Sequence, residues 1–566
     1  MNWTFKKEPS VDSENQLKKL LNIDDLIAKL LILRGIETYD EARVFFKPSL
    51  DDLHDPFLMK DMELAVARIV HAINEKEKIM VYGDYDVDGT TAVSLVYSFL
   101  QKFYPNITTY IPDRYAEGYG ISFQSIDFAF DNDIKLIIAL DCGIKSVDKI
   151  DYAKQKGIDF IICDHHQPGL ELPDAVAILN PKQTDCYYPF DELCGCGIGF
   201  KLVQAIGQHW NISLEELKPY LDLVAIAIGA DIVPLNGENR TLTYLGLDVI
   251  NTNPRPGVQA LIKQAKRESL TNSDVVFGLA PRINAAGRMK HGQNAVQLLI
   301  EEDIEIAMKF AEEIELYNSD RREVEAQNSQ EAILMIEELK EENNFSTVIY
   351  NENWHKGVIG IVASRLQETY YRPTIVFTKS GDYLAASARS VNHFDIYEAI
   401  EKCSEHLIQY GGHKYAAGMT IKPENFNAFK AAFETVVKST IKPEWLEREI
   451  SIDAKINFTD ITPKFVRLIK KFEPFGPCNP TPIFYSNKIF DTGYAKSIGK
   501  NNEHLKMFLK QSKSEEGLAA VAFGIGQKLS VIEKSKPFEA CYSIDENLFN
   551  GQVTLQLRIR DLRVEG

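Results

Sequence analysis

A chain of 566 residues, 45% hydrophobic and 25% charged, has ordinary globular composition and room for about three or four domains. Its net charge of -18 argues against a nucleic-acid coat protein but leaves room for a locally basic groove. Eight cysteines without C-x-x-C spacing exclude a disulfide framework, and with no long apolar run and no signal-peptide core the expectation is a cytoplasmic protein with no membrane contact.

Residues 1–71 carry a mostly helical pattern. Asp24 and Asp25 can cap the apolar segment 26–31 and Gly35 can end it. No chemistry falls here, and the segment is expected to pack on the domain that follows. From 72 to 245, Ile- and Val-rich strands at 78–82, 107–111, 135–140, 160–163 and 176–179 alternate with helices such as 91–103 and 147–155. That order implies βαβ units in a doubly wound parallel sheet, with ligands at the carboxyl ends of the strands. Gly195-Cys196-Gly197-Ile198-Gly199 lacks the G-x-G-x-x-G pattern of a dinucleotide site and predicts a tight turn before a helix at 201–206.

Residues 246–340 are a helical connector whose charge-laced stretch 301–338 predicts an exposed helix bridging two domains. A second, smaller α/β domain spans 341–446, with strands at 347–350 and 374–377 and a helix at 359–368. From 447 to 566, short strands such as 450–452, 483–485, 518–523 and 553–559 predict a small β-barrel of OB-fold type. The fold class is therefore α/β: a doubly wound parallel-sheet domain, a long connecting helix, a smaller α/β domain and a carboxy-terminal barrel.

The chemistry starts at Gly83-Asp84-Tyr85-Asp86-Val87-Asp88-Gly89. Alternate positions of an extended segment would put Asp84, Asp86 and Asp88 on one side, where three like charges call for a cation. An EF-hand is excluded, because the twelfth position from Asp84 is Leu95 and a strand, not a helix, precedes the loop. Other element ends add Asp141, Asp164-His165-His166, and Asp231 after the apolar run 223–230. Oxygen-dominated ligation with imidazole and no thiolate favours manganese or magnesium. So many carboxylates suit a pair of ions, and two ions suit in-line attack on phosphorus.

Asp164-His165-His166, preceded by Asp86-Val87-Asp88 and Asp141, resembles the DHH phosphoesterase superfamily. Asp231-Ile232-Val233-Pro234, Pro281-Arg282-Ile283-Asn284-Ala285-Ala286-Gly287-Arg288, Gly411-Gly412-His413 and Phe475-Gly476-Pro477-Cys478-Asn479-Pro480 narrow the resemblance to its branch of bacterial single-strand-specific DNA exonucleases. The resemblance covers nearly the whole chain. It implies 5′-to-3′ degradation of single-stranded DNA to 5′-mononucleotides in repair and recombination. It implies a catalytic group of Asp84, Asp86, Asp88, Asp141, Asp164, His165, His166 and Asp231. Within that group Asp86, Asp88, Asp141, His165 and Asp231 would bind two Mn2+ or Mg2+ ions, with Asp141 bridging. Asp84 would ligate or orient, His166 would touch the scissile phosphate, and Asp164 would hold the histidine geometry.

For the strand and its end, Arg114, Arg282, Asn284, Arg288, Ser387, Arg389, Gly411, Gly412 and His413 are the candidates, Ser387 and Arg389 resembling terminal-phosphate contacts. The resemblance also implies a monomer that works with a single-strand-binding protein and a recombination helicase. Lys464, Arg467, Lys470, Lys471, Lys488, Lys496, Lys500, Lys506, Lys510 and Lys513, interleaved with Phe465, Phe472, Phe475, Phe484, Tyr485 and Tyr494, predict a strand-tracking surface. Many of those aromatics must also serve as barrel core. Two rivals within the superfamily are a small-substrate enzyme, for nano-RNA, cyclic dinucleotides or pyrophosphate, and a non-catalytic replication scaffold. The long stretch after Leu446 argues against the first, and the full set of carboxylates and histidines argues against the second.

Overall fold

The first element is a strand, β1 (Asn2–Phe5), which lies parallel to a segment at the far end of the sequence, Asn2 opposite Glu449 and Phe5 opposite Ile452. The computed structural model describes residues 1–512, 517–532, 536–549 and 552–564. Lys513 of the tracking set lies outside the described residues.

Strands β2 (Lys78–Gly83), β3 (Ile107–Tyr110), β4 (Ile134–Leu140), β5 (Asp159–Cys163) and β6 (Ala177–Leu179) form an all-parallel sheet in the order β3-β2-β4-β5-β6. Their period of two divides the side chains between two cores. Ile79, Val81, Leu136, Ile138 and Ile161 face the helices Met62–Asn74, Val87–Leu100 and Gly195–His209. Met80, Tyr82, Ile137, Ala139, Phe160 and Ile162 face Phe123–Asp131 and Val147–Gln155. Both faces are apolar, which is why these strands read as continuous Ile/Val runs. The chain leaves β2 towards one edge and returns to β4 on the other side, so the switch point of the sheet lies between β2 and β4.

Two local readings are corrected. The strand stops at Gly83 and the following helix begins at Val87, four residues earlier than the sequence pattern suggests. Asp86 is its N-cap, its carboxylate accepting the Gly89 amide at 3.1 Å. Asp84, Asp86 and Asp88 therefore follow a strand-to-helix corner and not an extended segment. The glycine run at 195–199 is no turn either: it is the start of the helix Gly195–His209. A Cβ at Gly195 would lie 2.6 Å from the Asp141 Cβ, so glycine here permits close approach of helix and strand end.

The second α/β unit has strands β7 (Thr347–Tyr350), β8 (Thr374–Ser380), β9 (Tyr383–Arg389), β10 (Leu407–His413) and β11 (Ala416–Ile421), in the order β10-β11-β9-β8-β7. Only β7 and β8 are parallel; the other neighbouring pairs are antiparallel. Helices Ile359–Tyr370 and Phe426–Thr440 pack on the sheet.

Joining the units is the 35-residue helix Ile304–Glu338, about 52 Å long. It is not exposed all round. Ala307, Ala311 and Ile314 enter the first core and Ala332 and Ile336 enter the second, with Asn318, Arg321, Glu325, Asn328 and Ser329 buried between them.

The last region runs through β12 (Glu449–Ile452), β13 (Ala454–Lys455), β14 (Phe484–Asp491), β15 (Lys496–Ile498), β16 (His504–Lys510), β17 (Leu518–Ala522), β18 (Phe538–Phe549) and β19 (Gln552–Val564). The sheet order β13-β14-β18-β19-β17-β16-β15, with β14 pairing again to β16, closes a five-stranded barrel.

The amino-terminal segment departs from expectation. Leu50, Met59, Met62 and Val66 join the parallel-sheet core, but Leu17, Ile27, Ala28, Leu30, Leu31 and Phe45 are packed into the barrel core with Phe472, Leu505 and Tyr542. Amphipathic spacing marks the buried face of a helix and says nothing about which domain covers it.

Candidate metal centre and strand-end site

The acidic residues converge at the switch point. From His165 Nε2, just beyond the end of β5, the nearest carboxylate oxygens are Asp141 Oδ1 at 3.2 Å, Asp231 Oδ2 at 3.6 Å and Asp88 Oδ2 at 3.8 Å. Each comes from a different element. Asp141 follows β4 in the left-handed region, φ 60°, its amide bonded to Cys163 O. Asp231 ends the helix Leu221–Asp231, and Ile232 after it is also left-handed, φ 59°. Asp88 stands in the first turn of its helix, and both its oxygens are held by amides at the start of another: Gly195 N to Oδ2 at 2.6 Å and Cys196 N to Oδ1 at 2.8 Å. The glycine-rich run, missed in the sequence as a site element, thus supports a carboxylate.

Two triads have ligand atoms close enough to share one ion, Asp88 with His165 and Asp231, and Asp141 with His165 and His166. His165 belongs to both. Asp84, wholly buried, accepts the Gly120 amide at Oδ1 (3.3 Å), while its Oδ2, Asp141 Oδ1 and His165 Nδ1 are buried without a hydrogen-bond partner. Asp86 is half-buried at the corner beside them.

The electrostatics fit a cation. Burial and then the neighbouring Asp86 charge push Asp88 up to about 6, despite the two amides. Burial and the surrounding carboxylates likewise raise Asp84, Asp141 and Asp231 above the ordinary range. His165 is driven down to about 3 by burial and the charge of His166, which leaves its imidazole neutral, the form a metal binds. Orphaned carboxylate oxygens, mutual repulsion and a neutral imidazole together make a donor set for divalent manganese or magnesium. Next to it, Asp164 accepts His166 Nδ1 at 2.7 Å and the amides of His166 and Ile144. Burial opposes charge on both partners, but their hydrogen bond lowers Asp164 and raises His166. The far ring nitrogen of His166 meets Tyr119 Oη at 3.2 Å.

The strand-end candidates lie where the two α/β units meet. Arg389 donates from Nη1 to Ser387 Oγ at 2.9 Å, both on β9. Arg114 lies over the Tyr85 ring, 4.7 Å from its centroid. Arg288 donates to Gly357 O at 2.9 Å, and burial with the charges of Arg114, Arg321 and Arg389 pulls it down to about 10. The charges of Arg114, Arg321 and Arg389 therefore all bear on Arg288. Arg321, on the long helix, escapes sequence reading because a single arginine in a charge-rich run looks like solvated surface.

Asn284 is half-buried on the same helix as Arg288. Gly411 and His413 are exposed on β10, and Gly412 (φ 149°) leaves no room for a Cβ, which would lie 2.4 Å from Ala416 O. Partial desolvation and the charges of His166, Lys145 and Lys182 depress His413. Arg282 does not join this group. Its Nε pairs with Glu315 at 2.6 Å and its Nη1 donates to Gly278 O, so it ties two helices together.

On the barrel, Phe465, Phe472 and Phe484 are core, Phe475 and Tyr485 are half-buried, and only Tyr494 of the predicted aromatics is exposed. Lys464 and Lys470 are paired with Asp24 and Glu546. The exposed aromatics that sequence reading misses are Phe508 and Phe523. Lys506 and Phe508 share the outward face of β16, Lys506 in register with Val521 and through it with Arg558, whose guanidinium lies 5.4 Å from the Phe523 ring centroid. Alternation along β16 distinguishes them once the strand is located, but the short β16 is absent from the strands the sequence pattern predicts.

Comparison with known proteins places this architecture in a class: residues 78–228 match the DHH family, N-terminal domain, and 343–439 match the DHHA1 domain. Residues 452–561 match the RecJ OB domain. The single-stranded-DNA-specific exonuclease RecJ of Bacillus subtilis (strain 168) is 37% identical, over 100% of this chain and 71% of its own length. That of Haemophilus influenzae is 34% identical, over 90% of this chain and 92% of its own. The crystal structure of RecJ in complex with Mn2+ from Thermus thermophilus superposes with a TM-score of 0.86 at 25% identity, covering 100% of this chain and 80% of that one. The chain belongs to the RecJ family.

Proposed function

We propose that this chain is a metal-dependent exonuclease specific for single-stranded DNA, which cuts from the 5′ end and releases 5′-mononucleotides. The observation that carries the reading is the meeting of Asp88, Asp141 and Asp231, from three separate elements, around His165 Nε2, in a full-length relative of exonucleases. Asp86, Asp88, Asp141, His165 and Asp231 would hold a pair of Mn2+ or Mg2+ ions, and Asp84 would orient the cluster. Metal bound there would supply a water of lowered pKa and stabilisation of the charge that develops at the phosphate.

The chain's own residues do the rest. Amides of Gly195 and Cys196 fix the Asp88 carboxylate, and the backbone bond to Cys163 O fixes Asp141. Asp164 orients His166, whose ring contacts the scissile phosphate beside Tyr119. Arg114, Arg288, Ser387 and Arg389 hold the terminal phosphate, and Asn284 with Gly411, Gly412 and His413 lines the nucleotide's path. The 5′-to-3′ polarity is the part of the proposal that the family resemblance supplies: a strand whose 5′ phosphate is held on the second unit would present its first linkage to the carboxylates. The barrel tracks the remaining strand through Lys506, Phe508, Phe523 and Arg558. Domain limits at 340 and 446 belong to the same proposal, whereas those expected at 71 and 245 fall inside the helices Met62–Asn74 and Gly237–Thr252 and are not kept.

The test uses 5′-labelled and 3′-labelled single strands and the matching duplex with manganese, for the parent protein and Asp141→Ala. Mononucleotides from the 5′ end of the single strand alone, lost in the variant, are expected. Activity confined to dinucleotides, or strand binding without cleavage, would overturn the proposal.

A further inference from the structure

We infer that Arg321, Glu325 and Arg365 form a spacing clamp, which fixes the Ser387–Arg389 pair at a set distance from the carboxylate cluster and so determines how many nucleotides leave at each cut. The inference rests on the reading of Ser387 and Arg389 as holders of the terminal phosphate. It starts from the long helix, which is apolar where it meets each α/β unit but buries Asn318, Arg321, Glu325, Asn328 and Ser329 between them. Buried polar side chains in the middle of a bridging helix are unfavourable unless something uses them.

Three of them build a chain of bonds. Arg321 donates from Nη1 to Glu325 Oε2 at 2.9 Å and from Nη2 to Asn318 Oδ1 at 3.1 Å. The other oxygen, Glu325 Oε1, is ion-paired with Arg365 Nε at 2.7 Å. Arg365 stands on Ile359–Tyr370, the helix packed beneath β9. One buried carboxylate therefore ties the connector to the second unit with both of its oxygens. Such a doubly used carboxylate resists sliding in a way an apolar contact does not.

The tied helix lies directly under the phosphate pair: a Cβ at its Gly360 would sit 3.1 Å from both Arg389 Nη2 and Ser387 Oγ. Just before its start, the helix is fastened to the first unit by the bond from Arg288 Nη1 to Gly357 O. A Cβ at Gly357 would lie 2.5 Å from Arg288 O, so the two backbones are in direct contact there. The phosphate pair thus rides on a helix anchored at its leading end by the helix Ala280–Met289, which packs in the first core, and at its second turn by the long helix. Two anchors fix both position and tilt, and with them the span from terminal phosphate to scissile bond. Arg321, Glu325 and Arg365 are positioning residues: they touch neither strand nor metal.

The experiment compares the parent with Arg365→Ala and Glu325→Gln on 5′-phosphorylated and 5′-hydroxyl single strands, resolving products by length. Ser387→Ala and Arg389→Ala are assayed alongside. The Arg365 side chain is 55% exposed, so its removal leaves a folded protein even where Glu325→Gln does not fold; thermal melting verifies this. The expected result is mononucleotides from the parent and a mixture with dinucleotides from the clamp variants. Turnover should fall by about 10- to 100-fold, with the preference for a 5′ phosphate retained. Mononucleotides alone from a folded Arg365→Ala protein, with or without a lower melting temperature, overturn the clamp. A preserved 5′-phosphate preference in Ser387→Ala and Arg389→Ala overturns the phosphate assignment and the clamp together.

Discussion

Gly195→Ala is the most exacting test of how the metal centre is held. The added Cβ would lie 2.6 Å from Asp141 Cβ, 2.8 Å from its Cα and 2.9 Å from its Oδ1. Carbon atoms rest at about 3.5 Å, so helix and strand end must separate by about 0.9 Å. Asp141 has little room to retreat, being left-handed at φ 60° and bonded through its amide to Cys163 O. If the helix moves instead, the Gly195 and Cys196 amides leave Asp88. Either way one carboxylate is misplaced by close to 1 Å, which costs roughly 100-fold in turnover, or about 2.7 kcal/mol in the barrier. The overpacking itself lowers stability by about 1–3 kcal/mol. Gly199→Ala on the same helix is the control, because its Cβ meets only Leu140 Cδ2 at 3.3 Å and Val96 Cγ2 at 3.4 Å, both movable side-chain ends. Single-turnover release of mononucleotides with manganese, beside thermal melting, reads both effects. Native turnover in a folded Gly195→Ala protein would refute the idea that close helix approach positions the carboxylates.

Asp231→Asn should abolish cleavage yet stabilise the metal-free protein, because burial and the charges of Asp88 and Asp86 raise the Asp231 carboxyl in the folded state and so disfavour its ionised form at neutral pH. Manganese at a hundred times its dissociation constant should stabilise the parent by about 2.7 kcal/mol and the variant by less, as calorimetric melting with and without metal would measure. Lys201 and Glu238 form a fully buried pair at 2.8 Å, with Glu238 also bonded by Tyr188 Oη and the His54 amide. Lys201→Met strands that carboxylate and should lower unfolding free energy by about 3–5 kcal/mol in urea titration; a change within error would mean the pair is solvated. Phe508→Ala and Phe523→Ala should each weaken single-strand affinity by about 1–3 kcal/mol, raising KM with kcat unchanged, and a loss of kcat at constant KM would place these rings elsewhere than on the strand.

The sequence pattern and the structure agree where local chemistry decides. Period-two Ile/Val strands with carboxylates at their ends locate the parallel sheet and the metal cluster, because burial on both faces leaves a signal that needs no tertiary information. They part where a distant segment decides. Asp88, in the first turn of its helix, is held by the amides of Gly195 and Cys196, more than a hundred residues away. Gly195 is explained only by Asp141, which no local window contains. Arg282 and Arg288 look alike in one motif, yet Glu315 claims the first and Gly357 O the second. The antiparallel strands β9 to β11 escape the pattern because their alanines and glycines carry weak strand preference until a neighbour covers them.

The sharing of one core between residues 17–45 and the barrel has a consequence for biosynthesis. The first helices leave the ribosome early, but the apolar surface that covers them comes last, about 400 residues later. At about 5–20 residues per second that delay is on the order of 20–80 s. Throughout it Leu17, Ile27, Leu30 and Leu31 can pack only within their own helices, while the parallel-sheet domain between them and the barrel can already close. The barrel-facing side of the amino-terminal segment therefore stays open to solvent during translation, and a chain truncated before the barrel leaves it uncovered.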